Sequence, residues 1–458
     1  MQKGVVDFIT LGCSKNLVDA ERVMRQLEAV GWTCVHDPEE PKGEVCVINT
    51  CGFIGDAKEE SINMILQMAE RKKKGKLRKL IVMGCLSERY RAELEAEMPE
   101  VDEYFGKFDF LKIVESLKLN VERSSRVESC KWIERKLTTP KHYAYVKISE
   151  GCNRMCSYCA IPLITGRHTS RPMEEILDEV RWLVKQGVKE INVIAQDLSS
   201  YGLDLVKGQR DNVQSTNKHL LPELIDQMAQ IEGVEWIRLH YAYPTDFPEG
   251  LLDVMAKHKN VCKYLDIALQ HCTDHMLGLM RRHITRAEQD ALIHKIRERV
   301  PGICIRTTLL VGHPGETEED FEELKTWVKE MRFERMGCFA YSDEEGTYAN
   351  KHYKDDIPQE VKERRVEELM AIQQGISGEL MQRLVGTVQR VVIDREEGEY
   401  LIGRTQFDSP EVDCEVLIEK LRVESLELKE VEELKVGEFY NVKITKAEEF
   451  DLYGEIER

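Results

Sequence analysis

The sequence predicts an α/β protein in three parts. These are an N-terminal parallel βα domain, a central partial (β/α)6 barrel of TIM-like type, and a C-terminal small antiparallel β-barrel of OB-like type. Three observations predict it. Apolar strand-like runs alternate with helical stretches from Val5 to about Met98, and again from Tyr143 to Tyr341. A polar, charged stretch ending Thr138-Thr-Pro140 separates the two series. From Val385 onward the apolar period changes to two.

In the first part, Val5 to Leu11, Val45 to Asn49 and Leu80 to Met83 read as strands. Asn16 to Val30, Ala57 to Lys73 and Glu88 to Met98 read as amphipathic helices, with Val23, Leu27 and Val30 on one face of the first. Repeated βα units imply a parallel sheet covered by helices. In the second part the strands are Tyr143 to Ile148, Glu190 to Ala195, Trp236 to His240, Tyr264 to Ala268, Ile303 to Val311 and Gly337 to Tyr341. Helices such as Met173 to Gln186 and Glu318 to Met331 separate them, which suits a barrel whose site lies at the strands' carboxyl ends. A helix from Gln359 to Leu384 leads to five short strands, Val388 to Ile393, Tyr400 to Ile402, Val416 to Ile418, Tyr440 to Ile444 and Asp451 to Gly454. The expected domains are 1–120, a linker 121–140, 141–374 and 375–458.

The chain has 458 residues, 42% of them hydrophobic, which suits large folded cores. No apolar run approaches the roughly 20 residues of a membrane span. Met1-Gln-Lys-Gly-Val-Val-Asp7 lacks a signal-peptide layout, so no membrane contact and a cytoplasmic location are expected. The net charge of −18 argues against a protein that tracks phosphate backbones. The one dense basic run, Arg71-Lys-Lys-Lys74 with Lys76, Arg78 and Lys79, falls at a predicted helix end, where cations complement the dipole. Direct RNA contact is therefore a secondary expectation. Fourteen cysteines in such a chain read as reduced thiols or metal ligands rather than a disulfide scaffold. Cys34, Cys46, Cys262, Cys304 and Cys338 lie in or beside apolar segments and read as small buried hydrophobes.

Two groups of cysteines stand apart. Cys152, Cys156 and Cys159 form Cys-x3-Cys-x2-Cys within Glu150-Gly-Cys-Asn-Arg-Met-Cys-Ser-Tyr-Cys159. Three thiolates so spaced suit three irons of a 4Fe-4S cube, leaving the fourth iron open, whereas electron-carrying ferredoxins supply four. A structural zinc site is the alternative, but no second pair of ligands follows at zinc-finger spacing, and His168 is unpaired in the sequence. Cys13, Cys51 and Cys85 each fall just past one of the three N-terminal strands, flanked by Gly12, Gly52 and Gly84. Carboxyl ends of parallel strands are where ligands collect, so these three predict a second cluster with an open iron.

The Cys152 motif resembles the signature of radical S-adenosylmethionine (SAM) enzymes. Nearly the whole chain resembles the methylthiotransferase family, which joins a cluster domain, a radical SAM barrel and a TRAM domain. Asp266-Ile-Ala-Leu-Gln-His-Cys-Thr-Asp-His275, Met280-Arg-Arg282 and Thr308-Leu-Leu-Val-Gly-His-Pro-Gly-Glu316 are similar to its fourth- and fifth-strand segments. Leu11-Gly-Cys-Ser-Lys-Asn-Leu-Val-Asp19, Ala195-Gln-Asp-Leu-Ser-Ser-Tyr-Gly202 and Gly403-Arg-Thr-Gln-Phe-Asp408 resemble its RimO type, which modifies an aspartate of ribosomal small-subunit protein twelve. The alternative is the tRNA-adenosine-modifying MiaB type, which usually carries Gln-Met-Asn after its first cysteine. Many members have Arg-Gly after the SAM cysteines, where this chain has Thr165-Gly166-Arg167.

The resemblance implies two 4Fe-4S clusters as cofactors and two SAM per methylthio group added to the aspartate β-carbon. It implies metal ligands Cys13, Cys51, Cys85, Cys152, Cys156 and Cys159, with Tyr158 near the SAM adenine. Gln196 and Gln270, at strand ends, are expected SAM or substrate contacts. Implied partners are ribosomal small-subunit protein twelve, an electron donor such as flavodoxin or ferredoxin, and a sulfur donor. Residues 375–458 carry 21 acidic against 11 basic residues, which favours a basic protein partner over tRNA.

Overall fold

The computed structural model describes residues 4–117, 133–206, 219–420 and 434–457. Residues 121–132 of the expected linker lie outside the described residues. The N-terminal sheet contains β1 (Val5–Thr10), β2 (Thr33–His36), β3 (Val45–Thr50), β4 (Lys79–Gly84) and β5 (Glu103–Tyr104), all parallel, in the order β2-β1-β3-β4-β5. The sequence reading finds β1, β3 and β4 but not the short edges β2 and β5, which carry too few apolar residues to show a period. Helices α1 (Ser14–Ala29), α2 (Gly55–Lys73) and α3 (Cys85–Arg89) follow β1, β3 and β4. The helix expected over Glu88 to Met98 is broken at Tyr90 into α3 and a separate helix, Arg91–Glu97. The basic run ends α2 as expected, and four of its seven cations pair with carboxylates: Lys72 with Asp102 at 2.6 Å, Lys73 with Glu100 at 3.2 Å, Arg78 with Glu44 at 3.4 Å, and Lys79 with Glu103 at 2.7 Å.

The central sheet consists of β6 (Tyr143–Lys147), β9 (Glu190–Ile194), β10 (Trp236–Ala242), β11 (Val261–Ile267), β12 (Cys304–Val311) and β13 (Arg335–Ala340). All pairings are parallel and follow chain order. A small ribbon, β7 (Ser149–Glu150) with β8 (Thr169–Ser170), stands beyond β6. This is the partial (β/α)6 barrel. Alternate strand residues divide between two environments, as strand geometry requires. Ala144, Val146, Ile191, Val193, Ile237, Leu239, Ile305 and Leu309 join the apolar layer under the helices. Lys147, Asn192, Arg238, His240 and Asp266 are buried polar residues of the same strands on the other face.

The C-terminal strands β14 (Val388–Glu397), β15 (Tyr400–Thr405), β16 (Glu415–Glu419), β17 (Phe439–Ala447) and β18 (Asp451–Ile456) close into a barrel. Four pairings are antiparallel and one, β16 with β18, is parallel. An odd ring of strands cannot alternate direction all the way round, so one parallel pair is a condition of closure. Cys34, Cys46, Cys262, Cys304 and Cys338 are buried, as expected of small hydrophobes.

Buried charges join the three parts. Glu190 of β9 holds Arg238 at 2.9 Å and Arg404 of the small barrel at 2.8 Å, all three nearly free of solvent. Asp394 of the small barrel lies 2.7 Å from His142. Glu179 of the helix Met173–Lys185 gathers Arg22 of α1 at 3.3 Å, Arg135 at 3.1 Å and Arg171 at 2.7 Å. Burial pushes the Glu179 carboxyl up, but the guanidiniums of Arg171, Arg135 and Arg22 outweigh it and bring it down to about 2.

Replacing Glu190 by Ala leaves the buried Arg238 without a carboxylate among the described residues and Arg404 with Asp394 alone, and should destabilise the protein by about 3–5 kcal/mol in chemical denaturation. Arg395→Ala, which breaks an exposed pair with Glu415, should cost less than about 1 kcal/mol. The Glu179 contribution is complete above its ordinary value of 4.5 and is lost as pH falls from there towards about 2. Glu179→Gln should therefore lower stability at neutral pH and flatten its dependence across that acid window.

Candidate functional site

Neighbouring strands β1, β3 and β4 end level with one another, Thr10 opposite Asn49 and Thr50 opposite Gly84. The next residues of each chain segment are therefore delivered to one place. Cys13 is the N-cap of α1, Cys51 follows β3, and Cys85 opens α3. Backbone proximity is made by glycine. A Cβ at Gly12 would stand 2.9 Å from the Cys51 Cβ, one at Gly52 would stand 2.7 Å from the Cys85 carbonyl carbon, and one at Gly84 would stand 2.6 Å from the Thr50 carbonyl oxygen. Gly12 and Gly84 also hold φ of +94° and +102°.

Asn16, which the sequence reading does not single out, ties the three loops together. Its Nδ2 donates to the carbonyls of Leu11 at 3.0 Å and Thr50 at 3.1 Å, and its Oδ1 lies 3.6 Å from the Cys85 thiol. Asn49 Nδ2 donates back to the Asn16 carbonyl at 2.7 Å. The only sequence signal is an asparagine three residues after Cys13.

The three thiols feel one another. Burial pushes Cys85 up to about 12, with Lys107 opposing and Cys13 and Cys51 adding to the rise. Burial likewise raises Cys51, helped by Cys13. At Cys13 burial acts upward but is outweighed by Lys15, the Asn16 N–H and Lys107, so the thiolate is favoured. Three crowded thiols whose ionisation is mutually unfavourable are suited to a cationic metal centre, which relieves that repulsion as it displaces the protons.

The second set lies on the loop after β7. Gly151, at φ +74°, lets Cys152 N–H reach the Gly166 carbonyl at 3.2 Å, and a Cβ there would stand 2.2 Å from the Arg167 carbonyl oxygen. Ser157 N–H donates to Met280 at 3.0 Å, and Ser157 Oγ lies 2.9 Å from His313 Nε2. Burial pushes Cys152 up to about 12 and raises Cys159 as well. Arg282 donates to Cys156 Sγ at 3.3 Å and to the Tyr158 hydroxyl at 3.2 Å, and the Tyr243 hydroxyl lies 3.4 Å from the same sulfur. Arg282 falls within the Met280-Arg-Arg282 motif, but Tyr243 has no sequence signal. His168, unpaired in sequence, is buried beside Ser170 Oγ at 3.1 Å.

Among the described residues no three His, Cys, Asp or Glu side chains converge on a single ion position. A structural zinc draws its sulfurs to about 2.3 Å of one metal. A cube takes each thiolate on a different iron, and a set of three cysteines at each place suits that donor pattern.

Two cavities adjoin these loops. One, of about 590 Å3, is walled by Cys13, Tyr145, His240, Tyr241, Arg306 and Glu411, and so by all three parts of the chain. The other, of about 690 Å3, contains Tyr158, Gln270, Leu309, Tyr341 and Lys362 with Phe53 to Asp56 of the N-terminal domain. Thr308 and Phe339 belong to both. Gln270 sits in the second cavity at φ +73°, pinned by backbone bonds to Thr308 and Leu310 at 2.9 and 2.8 Å. Gln196 is instead turned towards Glu150, donating at 3.1 Å, and its buried Oε1 has no hydrogen-bond partner. Glu150 also holds Lys107 at 3.1 Å and pairs with Lys147. The residue two before Cys152 is thereby linked to a cation that acts on Cys13 and Cys85. Glu344, next to the second cavity, holds Lys58 and Arg89 of the N-terminal domain, each at 2.8 Å.

Comparison with known proteins agrees with this arrangement. Residues 5–106 match the model of the uncharacterized protein family UPF0004, residues 146–328 the radical SAM superfamily, and residues 385–456 the TRAM domain. Among solved structures, the radical SAM methyltransferase TsrM from Kitasatospora setae superimposes with a TM-score of 0.52 at 13% identity, covering 86% of this chain and 79% of that one. At that identity the likeness concerns the fold. Among curated relatives, the ribosomal protein uS12 methylthiotransferase RimO of Phocaeicola vulgatus is 60% identical over 456 residues, spanning 100% of both chains. Those of Porphyromonas gingivalis and Flavobacterium johnsoniae are 55% and 50% identical, covering at least 98% of each chain. Identity at that level along the full length, with the radical SAM and TRAM matches in the expected order, shows that the chain belongs to the RimO family of radical SAM methylthiotransferases.

Proposed function

We propose that this enzyme adds a methylthio group to the β-carbon of an aspartate of ribosomal protein uS12. The observation that carries the reading is the placement of two cysteine triplets, each at the carboxyl ends of a parallel sheet, beside cavities that share the wall of Thr308 and Phe339. Cys152, Cys156 and Cys159 would hold the cluster that binds SAM, and Cys13, Cys51 and Cys85 would hold the auxiliary cluster. When bound, these groups supply radical chemistry at an unactivated C–H bond, which no side-chain acid or base can attack near neutral pH.

The chain's own residues would bind, orient and shield. Tyr158 and Gln270 line the cavity beside the Cys152 loop and are our candidates for SAM contact. Gln196 would act beside them through Glu150. The Glu344 pairs hold the N-terminal domain over the barrel mouth, which excludes bulk water from the reacting carbon. We place the domain boundaries at 1–120, 121–140, 141–374 and 375–458, each domain enclosing one family match. The acidic excess in the last domain supports a basic protein substrate rather than tRNA. No helix among the described residues is long and apolar enough to cross a membrane. The reading further entails a cytoplasmic location with the ribosome, a low-potential one-electron donor such as flavodoxin or ferredoxin, and a separate sulfur donor.

Mass spectrometry of uS12 after reaction with reconstituted enzyme, SAM and reductant should show a gain of one SCH2 unit on an aspartate. Gain on a tRNA stem-loop and none on uS12 would contradict the reading. Cys152→Ala should abolish reductive SAM cleavage. Gly52→Ala, whose Cβ meets the Cys85 backbone, should lose the iron bound at Cys13, Cys51 and Cys85 while 5′-deoxyadenosine formation continues without methylthiolation. Iron analysis with product quantification distinguishes the two outcomes.

A further inference from the structure

The charged groups around the cavity beside Cys13 are mostly paired. Arg306 is held by Asp266 at 3.2 Å and Asp413 at 3.3 Å, and His36 lies 3.2 Å from Asp37. Deeper in, Lys147 pairs with Asp19 and Glu150, and Lys107 with Glu150. Lys15 is different. It is only 9% exposed, and among the described residues no carboxylate lies within 4.0 Å of its ammonium. Its Nζ rests 3.3 Å from the centroid of the Tyr241 ring. A ring face offsets only part of what an ammonium loses on leaving water. The Cys13 thiolate supplies a further part, and a carboxylate at this point would complete the balance.

Lys15 is set just behind the cavity wall, with its ammonium against the Tyr241 ring that lines it. Cys13, Ser14 and Leu17, on either side of Lys15, line the cavity, as do His240 and Tyr241 opposite. Helix α1 starts at Ser14, and its N-cap residue, Cys13, makes no side-chain capping bond, so the positive end of a 16-residue helix faces the same space. Tyr241 holds φ +65°, a conformation that side-chain-bearing residues rarely adopt, and the residue is 37% exposed. Strain of this kind persists where the surroundings fix it, and it collects at ligand sites.

We propose that Lys15 and the start of α1 form the seat for the side-chain carboxylate of the substrate aspartate, which makes Lys15 a specificity-determining residue. The inference rests on the reading of uS12 aspartate as substrate. A side-chain carboxylate is bonded directly to the β-carbon. Anchoring it fixes the reacting C–H bond within the cavity onto which Cys13 opens. An asparagine of the same shape brings no charge to the ammonium and leaves it only the Cys13 thiolate and the Tyr241 ring.

The test titrates wild-type, Lys15→Met and Lys15→Arg holoenzymes with two forms of purified uS12. One is native, and the other carries asparagine at the aspartate that mass spectrometry identifies as modified. Wild type should bind the aspartate form at least about tenfold more tightly than the asparagine form. Lys15→Met should bind both alike, and Lys15→Arg should keep most of the preference. Equal binding of the two forms by wild type overturns the seat without recourse to any variant. So does a Lys15→Met enzyme that weakens both forms equally and preserves their ratio. Modified uS12 with equal binding rejects the seat alone, whereas no methylthio gain on uS12 rejects the underlying reading and the seat with it.

Discussion

The site depends on the close approach of three backbones at Gly12, Gly52 and Gly84. Parallel pairing brings the ends of β1, β3 and β4 level, but level strand ends alone leave loops side by side rather than in contact. The missing Cβ atoms let the loops interlock, with Cys51 under Gly12 and the Cys85 backbone under Gly52. Asn16 then fixes the arrangement through hydrogen bonds to two of the loops. Three cysteines remote in sequence become one set of donors, and everything proposed for the auxiliary cluster follows from that.

A second constraint converts two sites into one. Each cysteine triplet belongs to a different sheet, so the two cooperate only if the domains are held in a fixed relation. Buried charge supplies that relation. Glu179 gathers arginines from both sides of the boundary, and Glu150 connects the Cys152 loop to Lys107. Such pairs contribute little net stability compared with apolar packing, but breaking one is expensive because a charge is left without a partner. That asymmetry favours a single docking geometry. The small barrel completes the enclosure from below through the Glu190 and Asp413 pairs.

Much of this was legible in the sequence, and the reason is periodicity. The long βα units and the five tail strands have strong apolar patterns, and both cysteine sets sit at strand ends or at a compact spacing. What was not legible depends on contacts between distant segments. Asn16 and Tyr243 acquire their positions only when loops from different units meet, and Arg282, though inside a quoted motif, gains its role beside Cys156 only there. Gln196 and Gln270 occupy similar strand-end positions, yet the structure turns the first to Glu150 and leaves the second in a cavity. The edge strands β2 and β5 were too short to show a period. The parallel closing pair of the small barrel follows from an odd strand count, which is a property of the whole ring rather than of any segment.

The proposed function requires two iron–sulfur clusters, one at each triplet, facing adjoining cavities. The most direct measurement is electron paramagnetic resonance of the fully reduced, reconstituted enzyme. Two cluster signals broadened by mutual spin coupling are expected, each simplified when the other triplet is replaced. A single uncoupled signal that survives replacement of Cys13, Cys51 and Cys85 unchanged would contradict the proposed function.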